Sequence, residues 1–275
     1  MRMSAVPAPV ASTLRALTTA LDAILGANLV GVYLYGSLTQ GAFDPARSDV
    51  DCLVVVRRDL TDSRFQKLRA WLAQAATSDP WMHRVQMQVL VRGRLLRPDT
   101  RGALYQFGTL KRSGSDGNPI IWLNVLASGV ALLGPAPESF LPPITRVMIF
   151  DALVREVGYL RAEIADPASE WRDRRFYRTY AVLTLCRIVY SHQHGGVVSK
   201  PRAARWALRT LPSRWRSLVR AAMASARGRP AALPLARIAR FIEFVEGQLV
   251  PTSTARGSDR VAAPASRSLP KRRPT

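Results

Sequence analysis

Cysteine is scarce in this chain of 275 residues: Cys52 and Cys186 lie far apart, each inside an apolar run. Two such residues supply neither a disulfide framework nor a metal-ligand cluster, which points to a reducing, cytoplasmic setting. Long hydrophobic runs are missing as well. No stretch reaches the roughly 18 uninterrupted apolar residues that cross a bilayer, and the start of the chain lacks a basic segment followed by a compact apolar block and cleavage site. Neither membrane spanning nor secretion is expected. Lysine is limited to Lys67, Lys111, Lys200 and Lys271, and acids are outnumbered, with 19 Asp and Glu against 40 Lys and Arg. The net charge of +21 is therefore almost all arginine. Such a charge favours anionic substrates or polyanions as partners and says nothing about the fold. With 48% hydrophobic side chains, the chain is too apolar to be mostly disordered and long enough for two packed parts.

Apolar residues at Leu14, Leu17, Leu21, Ile24 and Leu25 recur at helical steps, so residues 12–25 are read as a helix. Leu29 to Tyr35 and Val50 to Val56 are short β-branched and aromatic runs, separated by a loop with Gly41, Pro45 and Ser48. Thr61 to Ala76 has helical spacing behind a cap at Thr61 or Asp62, and Arg84 to Val91 alternates as a third strand. Gly114 to Pro119 reads as a turn-rich break and Ile121 to Leu133 as a helix, stopped by Gly134-Pro135. Beyond Asp151 every long segment has helical periodicity. The expected class is α+β: a flexible start (1–11), an α/β domain with a small mixed sheet (12–143), a helical bundle (144–250) and a disordered basic tail (251–275) carrying six cations against Asp259.

Chemistry concentrates where the first two strands meet. Gly36-Ser37 ends one strand and Asp49-Val50-Asp51 opens the next. Residues two apart on a strand share a face, about 6 to 7 Å apart, so Asp49 and Asp51 can share one Mg²⁺. Magnesium takes one or two carboxylates with substrate phosphate oxygens, and a glycine followed by a small hydroxyl residue admits a phosphate close to the backbone. Turn chemistry accounts for Asp49 or for Gly36-Ser37 taken singly. Together they put two carboxylates at the head of the apolar run Cys52-Leu53-Val54-Val55-Val56, where an unpaired charge is costly, and a nucleoside triphosphate site is the better reading.

Leu34-Tyr35-Gly36-Ser37 and Ser48-Asp49-Val50-Asp51-Cys52-Leu53-Val54 resemble the nucleotidyltransferase superfamily. Gln106-Phe107-Gly108, the run from Gly129 to Pro135, Val182 to Ser191 and Ala204-Arg205-Trp206-Ala207 resemble, more narrowly, the aminoglycoside nucleotidyltransferases that adenylylate streptomycin and spectinomycin. The resemblance covers about residues 10 to 250. It implies an N-terminal domain that binds Mg²⁺ and ATP, a helical domain that closes over it, and transfer of AMP to a drug hydroxyl between the two. It assigns Asp49 and Asp51 as metal ligands, Gly36 and Ser37 as phosphate contacts, and Lys200 as a lysine near the nucleotide phosphates.

The chain departs from that family in two places. Gln86 stands where the family places the carboxylate that activates the acceptor hydroxyl, and no Asp or Glu occurs between Pro80 and Pro98. An amide cannot take that proton, and general-base assistance is worth about 10² to 10⁴ in rate. Gln88 does not repair the loss, and His83 is the nearest titratable group, read as a surface imidazole. On the acceptor side Thr109-Leu110 replaces Glu-Trp; Asp173 matches one of two drug-binding acids and Tyr177 stands at the other. Fewer carboxylates suit spectinomycin or another weakly cationic hydroxyl compound better than streptomycin. The cluster Arg172, Arg174, Arg175 and Arg178 is read as a solvated helix face, and Trp122, Trp206 and Trp215 as core. Three functions remain in view: a monomeric Mg²⁺-dependent adenylyltransferase, a nucleotide-binding homologue that has lost transfer, and a nucleotidyltransferase acting on RNA, to which non-specific binding would be salt-sensitive.

Overall fold

The computed structural model describes residues 6–97, 100–115, 117–172 and 174–250; the tail 251–275 and Asp173 lie outside them. Helix α1 (Ala8–Leu25) begins earlier than the leucine periodicity, with Val10 and Ala11 already buried, so residues 8–11 belong to the helix rather than to a flexible lead. This helix is long and apolar enough to cross a membrane by composition alone. Its stripe of Leu14, Leu17, Leu21 and Leu25 is instead buried in a core shared with α2 (Asp62–Ser78) and one face of the sheet. Thr61 caps α2 by accepting from the Arg64 amide, as the Ser/Thr cap pattern predicts.

Strands β1 (Leu29–Tyr35), β2 (Val50–Val56) and β3 (Val85–Val91) fall where the apolar runs put them. They are central in a six-stranded sheet of order β5-β4-β3-β2-β1-β6, in which β2 and β3 run parallel and the other neighbours antiparallel. The sheet is larger than periodicity indicated. Gly114 and Ser115 are not a break but the end of β5 (Thr109–Ser115), which pairs with β4 (Thr100–Gln106). The segment Ile121–Leu133 is not one helix either: α3 (Pro119–Ser128) stops at Gly129, and β6 (Val130–Leu133) pairs with β1. An extended Gly129, at φ −65° and ψ 161°, ends the helical hydrogen bonding and frees four residues to complete the sheet edge.

The opposite face of the sheet continues into the helical half. Tyr33, Leu53, Val55 and Leu90 share one buried cluster with Trp122 of α3 and with Leu153, Val157 and Leu185. That half consists of α4 (Arg146–Ala165), α5 (Arg175–His194), α6 (Lys200–Thr210), α7 (Arg216–Ala226) and α8 (Leu235–Gln248). Trp122 and Trp215 are buried and Trp206 is half-buried against Tyr190, as core residues should be.

Candidate active site

Strand pairing gathers the candidate residues at one end of the sheet. Tyr35 of β1 lies opposite Asp51 of β2, and Asp51 lies beside Gln86 of β3. These residues therefore form a cross-strand row, and Asp49, two before Asp51, joins the same face. The chain leaves β1 through Gly36, whose φ of 79° is left-handed. A β-carbon there would fall 2.9 Å from Asp51 Cγ, so only glycine lets the backbone turn directly against that carboxylate. The turn is tied down: Gln40 and Ala42 amides donate to the Gly36 and Ser37 carbonyls, at 3.1 and 2.9 Å, and Gln40 Nε2 donates to Asn124 of α3. On the other side, Arg84 stacks on Trp81 at 4.4 Å and donates to the carbonyls of Pro45 and Ser48, fixing the loop that delivers Asp49.

Burial and mutual repulsion govern the electrostatics. Asp51 is pushed up to about 6, first by desolvation and then by Asp49, against the opposing pull of Lys200 and Arg187. Asp49 is also raised, mainly by burial, with Lys200 and Arg84 acting in the other direction. Gln86 Nε2 donates to Asp49 Oδ2 at 3.0 Å. Lys200 enters from the first turn of α6 and is pushed down to about 8 by burial and by Arg187, with Asp51, Asp49 and Glu156 opposing. Its Nζ lies 4.1 Å from the centre of the Tyr180 ring, and Tyr180 Oη reaches toward Glu156 Oε1 at 3.5 Å. No group of three or more His, Cys, Asp or Glu residues able to hold a metal occurs among the described residues. Two desolvated, mutually repelling carboxylates remain, a donor set that suits a divalent cation whose other ligands come from a bound phosphate and water.

Six of the sequence-derived residues, Gly36, Ser37, Asp49, Asp51, Gln86 and Lys200, are thus assembled from both halves of the chain. Of the acceptor-side residues, Leu110 does not join them. Leu110 is 4% exposed and packs with Phe65, Met87 and Tyr105 in the core beneath α1 and α2, on the other face of the sheet, so its side chain cannot line the cleft. Tyr177 stands at the start of α5, stacked on Trp171 with centroids 4.9 Å apart. Asp173 lies outside the described residues. The nearby arginines are engaged structurally: Arg174 pairs with Glu170 at 3.3 Å, and Arg172 and Arg178 donate to the carbonyls of Ile164 and Leu233. Arg187, Tyr180 and Glu156 are additions that spacing did not reveal. Arg187 had a signal, being a lone charge between the buried residues Cys186 and Ile188. Tyr180 and Glu156 had none, because only the packing of α4 against α5 brings them to Lys200.

Comparison with known proteins matches both halves of the chain. Residues 14–80 match the family model described as nucleotidyltransferase domain, and residues 139–247 match that described as aminoglycoside adenylyltransferase, C-terminal domain. The aminoglycoside (3'') (9) adenylyltransferase of Klebsiella pneumoniae is 26% identical over 267 residues, covering 89% of this chain and 97% of that protein. The corresponding protein of Rhizobium radiobacter is 27% identical over 244 residues, 82% of this chain and 87% of the relative. The crystal structure of spectinomycin adenyltransferase from Enterococcus faecialis, with ATP and spectinomycin, shares the fold at a TM-score of 0.65 and 18% identity, over 86% of this chain and 98% of that one. With both halves matched in order and the fold shared, the chain belongs to the aminoglycoside nucleotidyltransferase family of the nucleotidyltransferase superfamily.

Proposed function

We propose that the protein transfers AMP from ATP to a hydroxyl of a small, weakly cationic acceptor such as spectinomycin. The observation that carries this reading is the convergence of Asp49, Asp51 and Gly36 from the sheet with Lys200 from the helical half. The glycine turn at Gly36-Ser37 receives the triphosphate close to the backbone, and Lys200 supplies a fixed cation for its oxygens. Asp49 and Asp51 would hold Mg²⁺, which when bound neutralises phosphate charge and polarises the phosphorus under attack. The acceptor oxygen forms a bond to the α-phosphorus as the bond to the departing pyrophosphate breaks. Gln86 steadies Asp49 by its hydrogen bond but cannot take the acceptor proton. The acceptor proton therefore passes to solvent water, and the transfer goes without the help a carboxylate gives.

The same residue favours a second reading, in which the protein binds ATP and transfers little. Both are tested by incubating the protein with Mg²⁺ and each labelled nucleoside triphosphate against spectinomycin, streptomycin and RNA, following pyrophosphate release and product mass. An acceptor-dependent gain of one AMP supports transfer. ATP binding without release supports the second reading. Asp49→Asn and Asp51→Asn are expected to lose Mg²⁺-dependent ATP binding, and retention of it in both would refute the metal assignment.

A further inference from the structure

The loop that delivers Asp49 is tied into a closed turn. The Arg47 and Ser48 amides donate to the Asp44 carbonyl at 3.0 and 2.8 Å, the Asp44 amide donates to Ser48 Oγ at 2.9 Å, and the Ala46 amide donates to Asp44 Oδ1 at 2.9 Å. Asp and Ser side chains close such turns by standing in for backbone groups. With Arg84 holding the carbonyls of Pro45 and Ser48 as well, the placement of residues 44–48 fixes that of Asp49.

One side chain of this turn reaches the helical half. Arg47, half-exposed and 3.5 Å from Asp44, donates from Nη1 to the carbonyl of Ala226, the last residue of α7, at 3.3 Å. Two features of α7 receive it. The carbonyls of Ala224 and Ser225 are taken up by the amides of Arg227, Gly228 and Arg229, so the Ala226 carbonyl meets Arg47 at the helix end, where the aligned peptide dipoles favour a cation. Beside it Gly228 has a left-handed φ of 76°, and a β-carbon there would fall 3.1 Å from Arg47 Cζ and closer still to Nη2. The glycine leaves the guanidinium its seat. α7 in turn packs on α5 and α6, the helices that carry Arg187 and Lys200. The contact therefore ties the loop bearing Asp49 to the body bearing the two cations that face Asp51.

We propose that Arg47 is a positioning residue, a latch between the Asp49 loop and the end of α7 that keeps the carboxylate pair in register with Lys200 before nucleotide binds. The inference rests on the nucleotide reading above. Losing the latch lowers the fraction of protein with both halves aligned, and the apparent affinity for ATP falls by that fraction. The test uses the full chain, Arg47→Met, Gly228→Ala and the double variant. Calorimetry gives the dissociation constant for ATP with Mg²⁺, and hydrogen exchange without nucleotide is followed at residues 37–49 and 222–229. Arg47→Met is expected to weaken ATP about fivefold, the size of one hydrogen bond from a half-exposed cation, and to speed exchange in both segments. Gly228→Ala keeps the charge of Arg47 but fills its seat, so it should weaken ATP as well, and in the double variant the two losses should not add. ATP affinity of Arg47→Met within about twofold of the parent, losses that add in the double variant, or faster exchange confined to residues 37–49 would each overturn the latch. Absence of ATP binding by the parent protein would refute the nucleotide reading, while the exchange data, which need no ligand, still decide whether Arg47 joins the two halves.

Discussion

Replacing Gly36 by Ala adds one methyl group at the point where β1 meets the carboxylate of Asp51. Two effects are separable. The left-handed φ of 79° costs an Ala roughly 1 to 2 kcal/mol, and the new carbon, 2.9 Å from Asp51 Cγ and 3.2 Å from its Cβ, must push that side chain aside. Overpacking of this kind adds about 1 to 3 kcal/mol unless the neighbour moves, and here any movement displaces the carboxylate assigned to the metal. Gly41 is the internal control. Its φ of 65° is equally left-handed, but nothing lies within 4 Å of a β-carbon there. Gly41→Ala should therefore lose only the backbone term and keep transfer, whereas Gly36→Ala should lose transfer and be either less stable or stable with Asp51 out of place. Urea unfolding of both variants, with Mg²⁺-dependent ATP binding and pyrophosphate release, separates these outcomes. If Gly36→Ala matches Gly41→Ala in stability and in turnover, the close approach of Gly36 to Asp51 has no part in the site.

Lys200 gives a pH dependence of definite sign. Its cation is disfavoured in the fold, so it loses its proton near 8 in the free protein, and phosphate oxygens favour the protonated form. ATP affinity should be full below pH 8 and weaken as the pH rises through it, and in calorimetry proton uptake should accompany binding near that pH. Lys200→Arg should remove the pH dependence, and Lys200→Met should weaken binding at every pH. Gln86→Glu puts a third carboxylate beside Asp49 and replaces a hydrogen bond by repulsion. Metal-free protein should be destabilised by about 1 to 3 kcal/mol in urea unfolding, while turnover with Mg²⁺ rises tenfold or more. Unchanged turnover would count against Gln86 as the base position. Leu110→Trp restores a family residue but overfills a core position that is 4% exposed, so it should lower the unfolding free energy by about 1 to 3 kcal/mol without improving transfer to streptomycin.

Legibility in the sequence tracked the kind of signal each element carries. β1 and β2 are dense β-branched runs bounded by turns, and both were readable to the residue. The β4–β5 hairpin was not, because Gly102, Lys111 and Arg112 dilute its alternation and its turn is Phe107-Gly108 instead of an Asn-Gly signal. β6 hid behind α3, since four apolar residues after a helix look like more helix until Gly129 is seen to break it. The same division holds in the site. Gly36, Ser37, Asp49 and Asp51 are close in sequence and were found by spacing, whereas Arg187, Tyr180 and Glu156 reach Lys200 only through the packing of α4, α5 and α6. Leu110 shows the limit of matching by position. A one-residue step along a strand exchanges the cleft face for the core face, so Thr109 and Leu110 cannot both face the acceptor.

The charge balance of the cleft joins these observations. Asp49 and Asp51 are faced by Lys200 and Arg187, with Glu156 behind Tyr180, so the nucleotide end is close to neutral before anything binds. A third carboxylate at position 86 would make that end negative and draw in a cationic acceptor. Gln86 withholds that charge, and the strands beyond it carry none. An anionic nucleotide is then met by less repulsion, while a polycationic drug finds no partner on the sheet side for its guanidinium or ammonium groups. On this argument the acceptor's charge, more than its size, decides whether it binds: at equal size, adding one cationic group to the acceptor should weaken binding, and a derivative with that group masked should recover it.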